Sequence, residues 1–238
     1  MADDGGPGPA VGPDGTGQPE RAGPPGAAAG GTVEAVDRIL STTRAVRKRL
    51  DLGRPVEEAV LLECVGLAQQ APSAGNGQGW RFVIVTDPEV KSDLARLYRA
   101  GARDYLDRAL AGARDDQARR VFESAQFLAE NLERVPALVI PCVHGRPSAN
   151  LVHSAALFGS ILPATWSFML ALRARGLGTS WTTLHLSFAD EAAALLGIPA
   201  DVTQVGLIPV GYYTGAGFKP AGRPPAQDIT FFNAWGPA

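Results

Sequence analysis

The apolar positions of this chain change period along its length, and the changes mark its elements. Residues 33, 36, 39 and 40 are apolar within the run 33–42, which is helical spacing. Pro55 followed by Val56, Glu57 and Glu58 opens a second helix running to about 70, because proline suits the first turn and acids suit its positive end. The run from Trp80 to Val85 reads as a strand and stops at Thr86-Asp87-Pro88, where a third helix starts and continues to about 110. A fourth helix is predicted over about 116–132 and a buried strand over 137–143.

The segment 155–172 has 18 residues without a charge. Length alone makes it a membrane-span candidate. Ser160, Pro163, Thr165 and Ser167 interrupt it, and no second such segment exists. A helix apolar on all sides also suits a central core or a subunit interface, and that is the reading taken. Gly176-Leu177-Gly178 stops the helix as a cap, and a hydroxyl-rich strand or loop follows over 179–183. A short helix is expected at about 189–196 and one strand at about 204–212. Beyond Gly215 the chain is punctuated by Gly and Pro and then carries Phe231, Phe232 and Trp235. An arm reaching across another subunit would bury those aromatics.

Composition divides the chain in two. Residues 1–31 hold ten of the 28 glycines and six of the 19 prolines, with no aromatic residue. Such a segment cannot offset its chain entropy by burial, so a disordered tail is expected there, and it lacks the basic start and apolar run of a secretory signal. Residues 32–238 are enough for one domain, ending in the extended arm from about 215. A net charge of −2 and a pI near 5.9 give no general attraction to nucleic acid or to an anionic membrane. The 22 basic residues include only three lysines, and arginine favours planar, bidentate contacts with phosphate or carboxylate. Cys64 and Cys142 lie far apart in apolar surroundings, which argues for buried, inert thiols and a reducing cytoplasm.

Most familiar chemistries find no support. Gly176-x-Gly178 follows a helix and lacks a third glycine, so it is no dinucleotide fingerprint. There is no phosphate-cradling Gly-Lys-Ser/Thr and no Gly-x-Ser-x-Gly nucleophile elbow. His144, His153 and His185 have no metal-ligand spacing, and the carboxylates form no evident acid/base pair, so no catalytic side chain and no metal ligand are assigned. A binding site without a protein nucleophile is what a cofactor-borne chemistry requires.

The loop Ala71-Pro72-Ser73-Ala74-Gly75-Asn76-Gly77-Gln78-Gly79-Trp80 carries that site. Its small residues let backbone N–H groups approach a ligand, and Asn76 and Gln78 each offer a donor and an acceptor. This suits a planar heterocycle better than a metal or a nucleophile. With Thr43-Arg44-Ala45-Val46-Arg47-Lys48 upstream, it resembles the flavin-binding signature of the nitroreductase family, commonly Arg-Arg-Ser-x-Arg and Pro-Ser-x-x-Asn-x-Gln-Pro-Trp. Further similarity lies in Pro163–Phe168, Arg173–Gly178 and Trp181–Leu186, and the resemblance extends over nearly all of residues 33–238.

The resemblance implies an α+β fold, a nitroreductase-like sandwich with a central, mostly antiparallel sheet flanked by helices. It also implies an intertwined homodimer with a flavin mononucleotide (FMN) at each of two interface sites drawing on both chains. Arg44, Ala45 and Arg47 would lie along the phosphate and the ring edge. Pro72, Ser73, Asn76 and Gln78 would line the isoalloxazine, Trp181, Thr182 and Thr183 would approach it from a second segment, and Arg223 would reach phosphate. Thr43 and Ala45 depart from the family pattern, removing two phosphate contacts, and Gly79 replaces the usual proline. The implied activity is hydride transfer from NADPH or NADH through flavin N5 to a small-molecule acceptor such as a nitroaromatic or quinone, in a ping-pong cycle. An FMN-dependent tailoring or dehalogenating enzyme and a non-catalytic flavin-binding protein remain open, and a lid within 98–134 would decide the acceptor.

Overall fold

The computed structural model describes residues 30–236. The tail expected to be disordered lies outside the described residues up to position 29, and Gly30 and Gly31 already belong to the first helix. From Asp37, within that helix α1 (Gly30–Thr42), the described chain forms one compact unit.

Within that unit the chain runs α2 (Glu58–Ala68), β1 (Trp80–Val85), α3 (Pro88–Ala111), α4 (Asp116–Asn131), β2 (Ala137–His144), α5 (Leu151–Ala174), β3 (Leu177–Thr179), α6 (Ala189–Leu196), β4 (Val202–Gln204) and β5 (Ile208–Tyr212). The Asp87-Pro88 start of α3 is capped as its sequence predicts, with the Asp87 carboxylate accepting from the N–H groups of Glu89 and Val90 at 2.9 and 3.0 Å. Gly176 takes the left-handed conformation just past α5, at φ 78°, as a helix cap requires.

The five-stranded sheet has the order β1-β2-β5-β3, with β4 also paired to β2, and all its strand pairs are antiparallel. The single strand predicted over 204–212 is two strands. The Val205 N–H still donates to the Pro141 carbonyl of β2 at 3.0 Å, but Gly206 and Leu207 leave the ladder, the backbone of Leu207 being bonded to that of Thr182.

Strand β2 explains why its sequence is a continuous apolar run. Leu138, Ile140 and Cys142 join a core shared with α3 and α4, while Ala137 and Val139 join a second core with α2 and α5. Side chains alternate across a strand, so a sheet covered on both faces must be apolar at every position. The charge-free helix α5 supplies Phe168, fully buried with its ring 5.4 Å from that of Phe82. Its other stripe is not covered among the described residues: Ala155, Gly159, Leu162 and Trp166, at helical spacing, are exposed. At the far end of the chain Phe232 and Trp235 are also exposed, at 81% and 92%.

Candidate functional site

The arginine-rich segment is positioned by its contact with β3. Ala45 forms a parallel bridge with Thr179, and the Val46 N–H donates to the Thr179 carbonyl at 2.8 Å. Gly178 makes this approach possible, since a Cβ there would stand 2.8 Å from the Val46 side chain. Val46 thereby enters the core, and Arg47, next along the chain, lines a cavity of about 380 Å³.

The walls of that cavity include Tyr98 and Tyr105 of α3, Phe122 of α4, and Trp181 to Thr183, and among the described residues no carboxylate lines it. The Arg47 guanidinium donates only to Ser124 Oγ, at 3.3 Å, and forms no ion pair among the described residues. Burial pulls it below the usual arginine range, with the nearby Tyr98 phenol working the other way. Tyr98 is 1% exposed, and burial pushes its phenol above the usual tyrosine range against the opposing pull of Thr182 and Arg47. The far wall is held rigidly: Thr182 exchanges backbone bonds with Leu207 at 2.8 and 3.1 Å, and its hydroxyl donates to the Leu207 carbonyl at 2.7 Å. Gly206 leaves room for the Trp181 indole, whose Nε1 would lie 2.9 Å from a Cβ at that position.

The amide-bearing loop sits elsewhere. Its backbone is anchored to α5 by the Ala74 N–H, which donates to Ser160 Oγ at 3.0 Å. Ser73 Oγ accepts from the Gln78 N–H at 3.1 Å, and the Gln78 side-chain amide donates to Asn76 Oδ1 at 3.1 Å. Asn76 and Gln78 both hold positive φ, 53° and 48°, a left-handed conformation that costs any residue with a Cβ. Pro72, Asn76 and Gln78 are exposed, and none of Pro72, Ser73, Asn76 and Gln78 lines the Arg47 cavity.

Arg44 is half-buried and donates to the carbonyls of Thr43, Ser41 and Lys219 at 2.5, 2.9 and 2.8 Å, tying the segment to the C-terminal arm. Arg223, exposed on that arm, donates among the described residues only to the neighbouring Gly222 carbonyl. Of the residues expected at the site, the structure thus unites Arg47 with Trp181, Thr182 and Thr183. Ala45 lies beside them, bridged to Thr179 of β3, and the loop 72–78 and Arg223 stand apart.

The nitroreductase family model matches residues 40–212, most of the chain. The chain belongs to the nitroreductase family. A Thermus thermophilus protein named NADH dehydrogenase is 28% identical over 219 residues, spanning 84% of this chain and 100% of its own. A 5,6-dimethylbenzimidazole synthase from Rhodospirillum rubrum is 28% identical over 188 residues, 75% of this chain and 82% of its own. Among solved structures, oxidised iodotyrosine deiodinase bound to FMN and 3-iodo-L-tyrosine superposes with a TM-score of 0.63 at 21% identity, covering 83% of this chain and 98% of the other. The α+β sandwich expected from the sequence is therefore the nitroreductase fold.

Within this nitroreductase-family fold, sequence reasoning missed the residues of α3 and α4 that wall the cavity. It marked 98–134 as the segment deciding the acceptor but named no side chain there. Tyr98 and Phe122 read as ordinary positions on helical faces, and only the packing of both helices against Thr182 and Leu184 exposes their role. His185 is fully buried, as a structural residue, and neither ring nitrogen reaches a hydrogen-bond partner. Burial pushes its imidazole down to about 4, with the Gln204 side chain beside it working the other way.

Proposed function

We propose that this nitroreductase-family chain is an FMN-dependent oxidoreductase acting as a homodimer, reduced by NADPH or NADH and oxidised by a small aromatic acceptor. The observation carrying this reading is Arg47, a partly desolvated cation without a carboxylate partner, set in an acid-free, aromatic-walled cavity. A guanidinium in that state favours a ligand edge that gains negative charge.

The residues fit a flavin. Arg47 and the rigid backbone of Trp181, Thr182 and Thr183 would hold the ring edge, with Ala45 beside them, while Arg44 and Arg223 would serve the phosphate. Bound FMN supplies two-electron chemistry between the nicotinamide and the acceptor. Arg47 would supply positive charge to the ring edge that gains negative charge on reduction, and Tyr105, Val121 and Phe122 would offer apolar surface to a flat aromatic acceptor.

Dimerisation would explain the remote loop. Pro72, Ser73, Asn76 and Gln78 are tied through Ser160 to α5, whose exposed apolar stripe needs a partner. A second copy seated there would receive the loop in its own cavity, so that each site is completed by both chains. The exposed aromatics of the arm would be covered in the same assembly.

The visible absorbance of the purified chain, repeated anaerobically after NADPH or NADH, tests the reading. A flavin band that bleaches is expected, and the effective donor is thereby identified. A band that persists with both donors would favour a binding role instead, and protein that stays colourless after incubation with FMN would remove the proposal.

A further inference from the structure

A second cavity, of about 400 Å³, lies where α1, the end of α5 and the chain after β5 meet. Arg38, Thr42, Arg173, Tyr213 and Phe218 line it, and among the described residues no acid does. Arg49 stacks on the same aromatic pair, 4.3 Å from the Phe218 ring and 5.5 Å from that of Tyr213. The Arg173 guanidinium lies 4.9 and 5.0 Å from Tyr213 and Phe218. None of Arg38, Arg49 and Arg173 belongs to an ion pair among the described residues.

The contrast with Arg175, two residues along, is informative. Arg175 is neutralised by Glu63, to whose two carboxylate oxygens it donates at 2.6 and 3.2 Å. Among the described residues Arg173 has no such partner, and its Nε is buried without a hydrogen bond. Buried donors are almost always satisfied, so an orphaned one on a cation calls for an acceptor. A helix C-terminus favours nearby positive charge, which makes Arg173 tolerable at the end of α5 but fills none of its N–H groups. The neutral donor is in place as well: Arg173 Nη1 donates to Tyr213 Oη, which leaves the phenol proton free for another acceptor.

We propose that this cavity binds a phosphate monoester, with Arg38 and Arg173 meeting the phosphate and the Tyr213 hydroxyl donating to it. A carboxylate would bring one negative charge to this cluster, whereas a phosphate monoester brings about two at neutral pH. The cavity exceeds the needs of a bare oxyanion, and Ile39 and Phe218 offer apolar surface to an organic body.

Two sources share that chemistry. The first is the phosphate of the flavin itself, a form that rests on the proposed function. Thr42 lines this cavity and Arg47 the other, a separation of at most roughly 18 Å even in a fully extended chain. Between them, Arg44 bonds the carbonyl of Lys219, next to Phe218. The pair Arg38 and Arg173 would then hold the phosphate in place of the side chains that Thr43 and Ala45 do not supply. The second source is a separate phosphorylated ligand.

The full-length protein, wild type and Arg38→Gln, decides the matter, since Arg38 is exposed and its side chain donates no hydrogen bond among the described residues. FMN and riboflavin affinities are measured by fluorescence quenching, and phenyl phosphate affinity by calorimetry at constant ionic strength. If the flavin phosphate occupies the cavity, R38Q weakens FMN roughly tenfold or more and leaves riboflavin unchanged. If a separate ligand does, R38Q weakens phenyl phosphate by a similar factor while FMN is unaffected. Wild-type affinities in R38Q for both FMN and phenyl phosphate overturn the proposal, as does a wild-type protein that neither prefers FMN over riboflavin nor binds phenyl phosphate. Protein that binds no flavin removes the proposed function, and the phenyl phosphate measurement still decides this site.

Discussion

Val46 and Gly178 meet where no side chain larger than hydrogen fits: a Cβ on Gly178 would stand 2.8 Å from both Cβ and Cγ1 of Val46. This contact lets the arginine segment bridge to β3 and so aims Arg47 at the cavity. Gly178→Ala should therefore destabilise the fold by about 1–3 kcal/mol through overpacking. Gly178 lies in an extended strand, so the cost is steric rather than conformational, and adding Val46→Ala should restore part of it. Denaturant unfolding of the single and double variants checks this, and strictly additive losses would contradict it.

Arg47→Ala is expected to weaken FMN retention while leaving the fold intact, because among the described residues the side chain makes only one hydrogen bond, to Ser124. Loss of a charge-assisted contact of about 1.5–3 kcal/mol corresponds to a rise in Kd of roughly ten- to a hundredfold. Turnover should fall with it. Fluorescence titration and steady-state rates read the two effects, and wild-type values for both would remove Arg47 from the site.

The buried imidazole of His185 makes stability depend on pH. Its folded pKa of about 4 lies below the ordinary 6.5, so the unfolded chain binds the proton more tightly. Its contribution is complete above 6.5, is lost as pH falls through that window and levels off below about 4. The total is roughly 3 kcal/mol. His185→Gln should flatten this part of the profile in unfolding measured between about pH 7.5 and about pH 4. An identical slope in the variant would assign the dependence to other groups.

Both cysteines should be inert in the native protein. Cys64 and Cys142 are fully buried, and burial raises both thiols, Cys142 to about 12. A thiol-reactive chromogenic disulfide should label neither until denaturant is added. Rapid labelling of the folded protein would contradict the packing around β2.

The local elements were legible in the chain because their signals are local. The Asp87-Pro88 helix start, the continuous apolar run of β2 and the charge-free run of α5 each follow from short-range rules of capping and periodicity. The one strand expected over 204–212 was not resolvable in this way. Its break at Gly206 is imposed by Trp181 and Thr182, more than twenty positions earlier in the chain, and period alone carries no trace of them.

The motifs of the site were likewise readable as a resemblance, since small residues, amides and arginines recur at characteristic spacings. Their arrangement was a matter for the tertiary structure. Packing of β3 against Val46 brings Arg47 to Trp181–Thr183, while the Ser160 anchor holds Asn76 and Gln78 on a different face. Tyr98 and Phe122 gave no signal, because an aromatic residue on a helix reads the same whether it fills a core or lines a cavity. Only long-range packing, which decides what lies opposite each side chain, separates those roles.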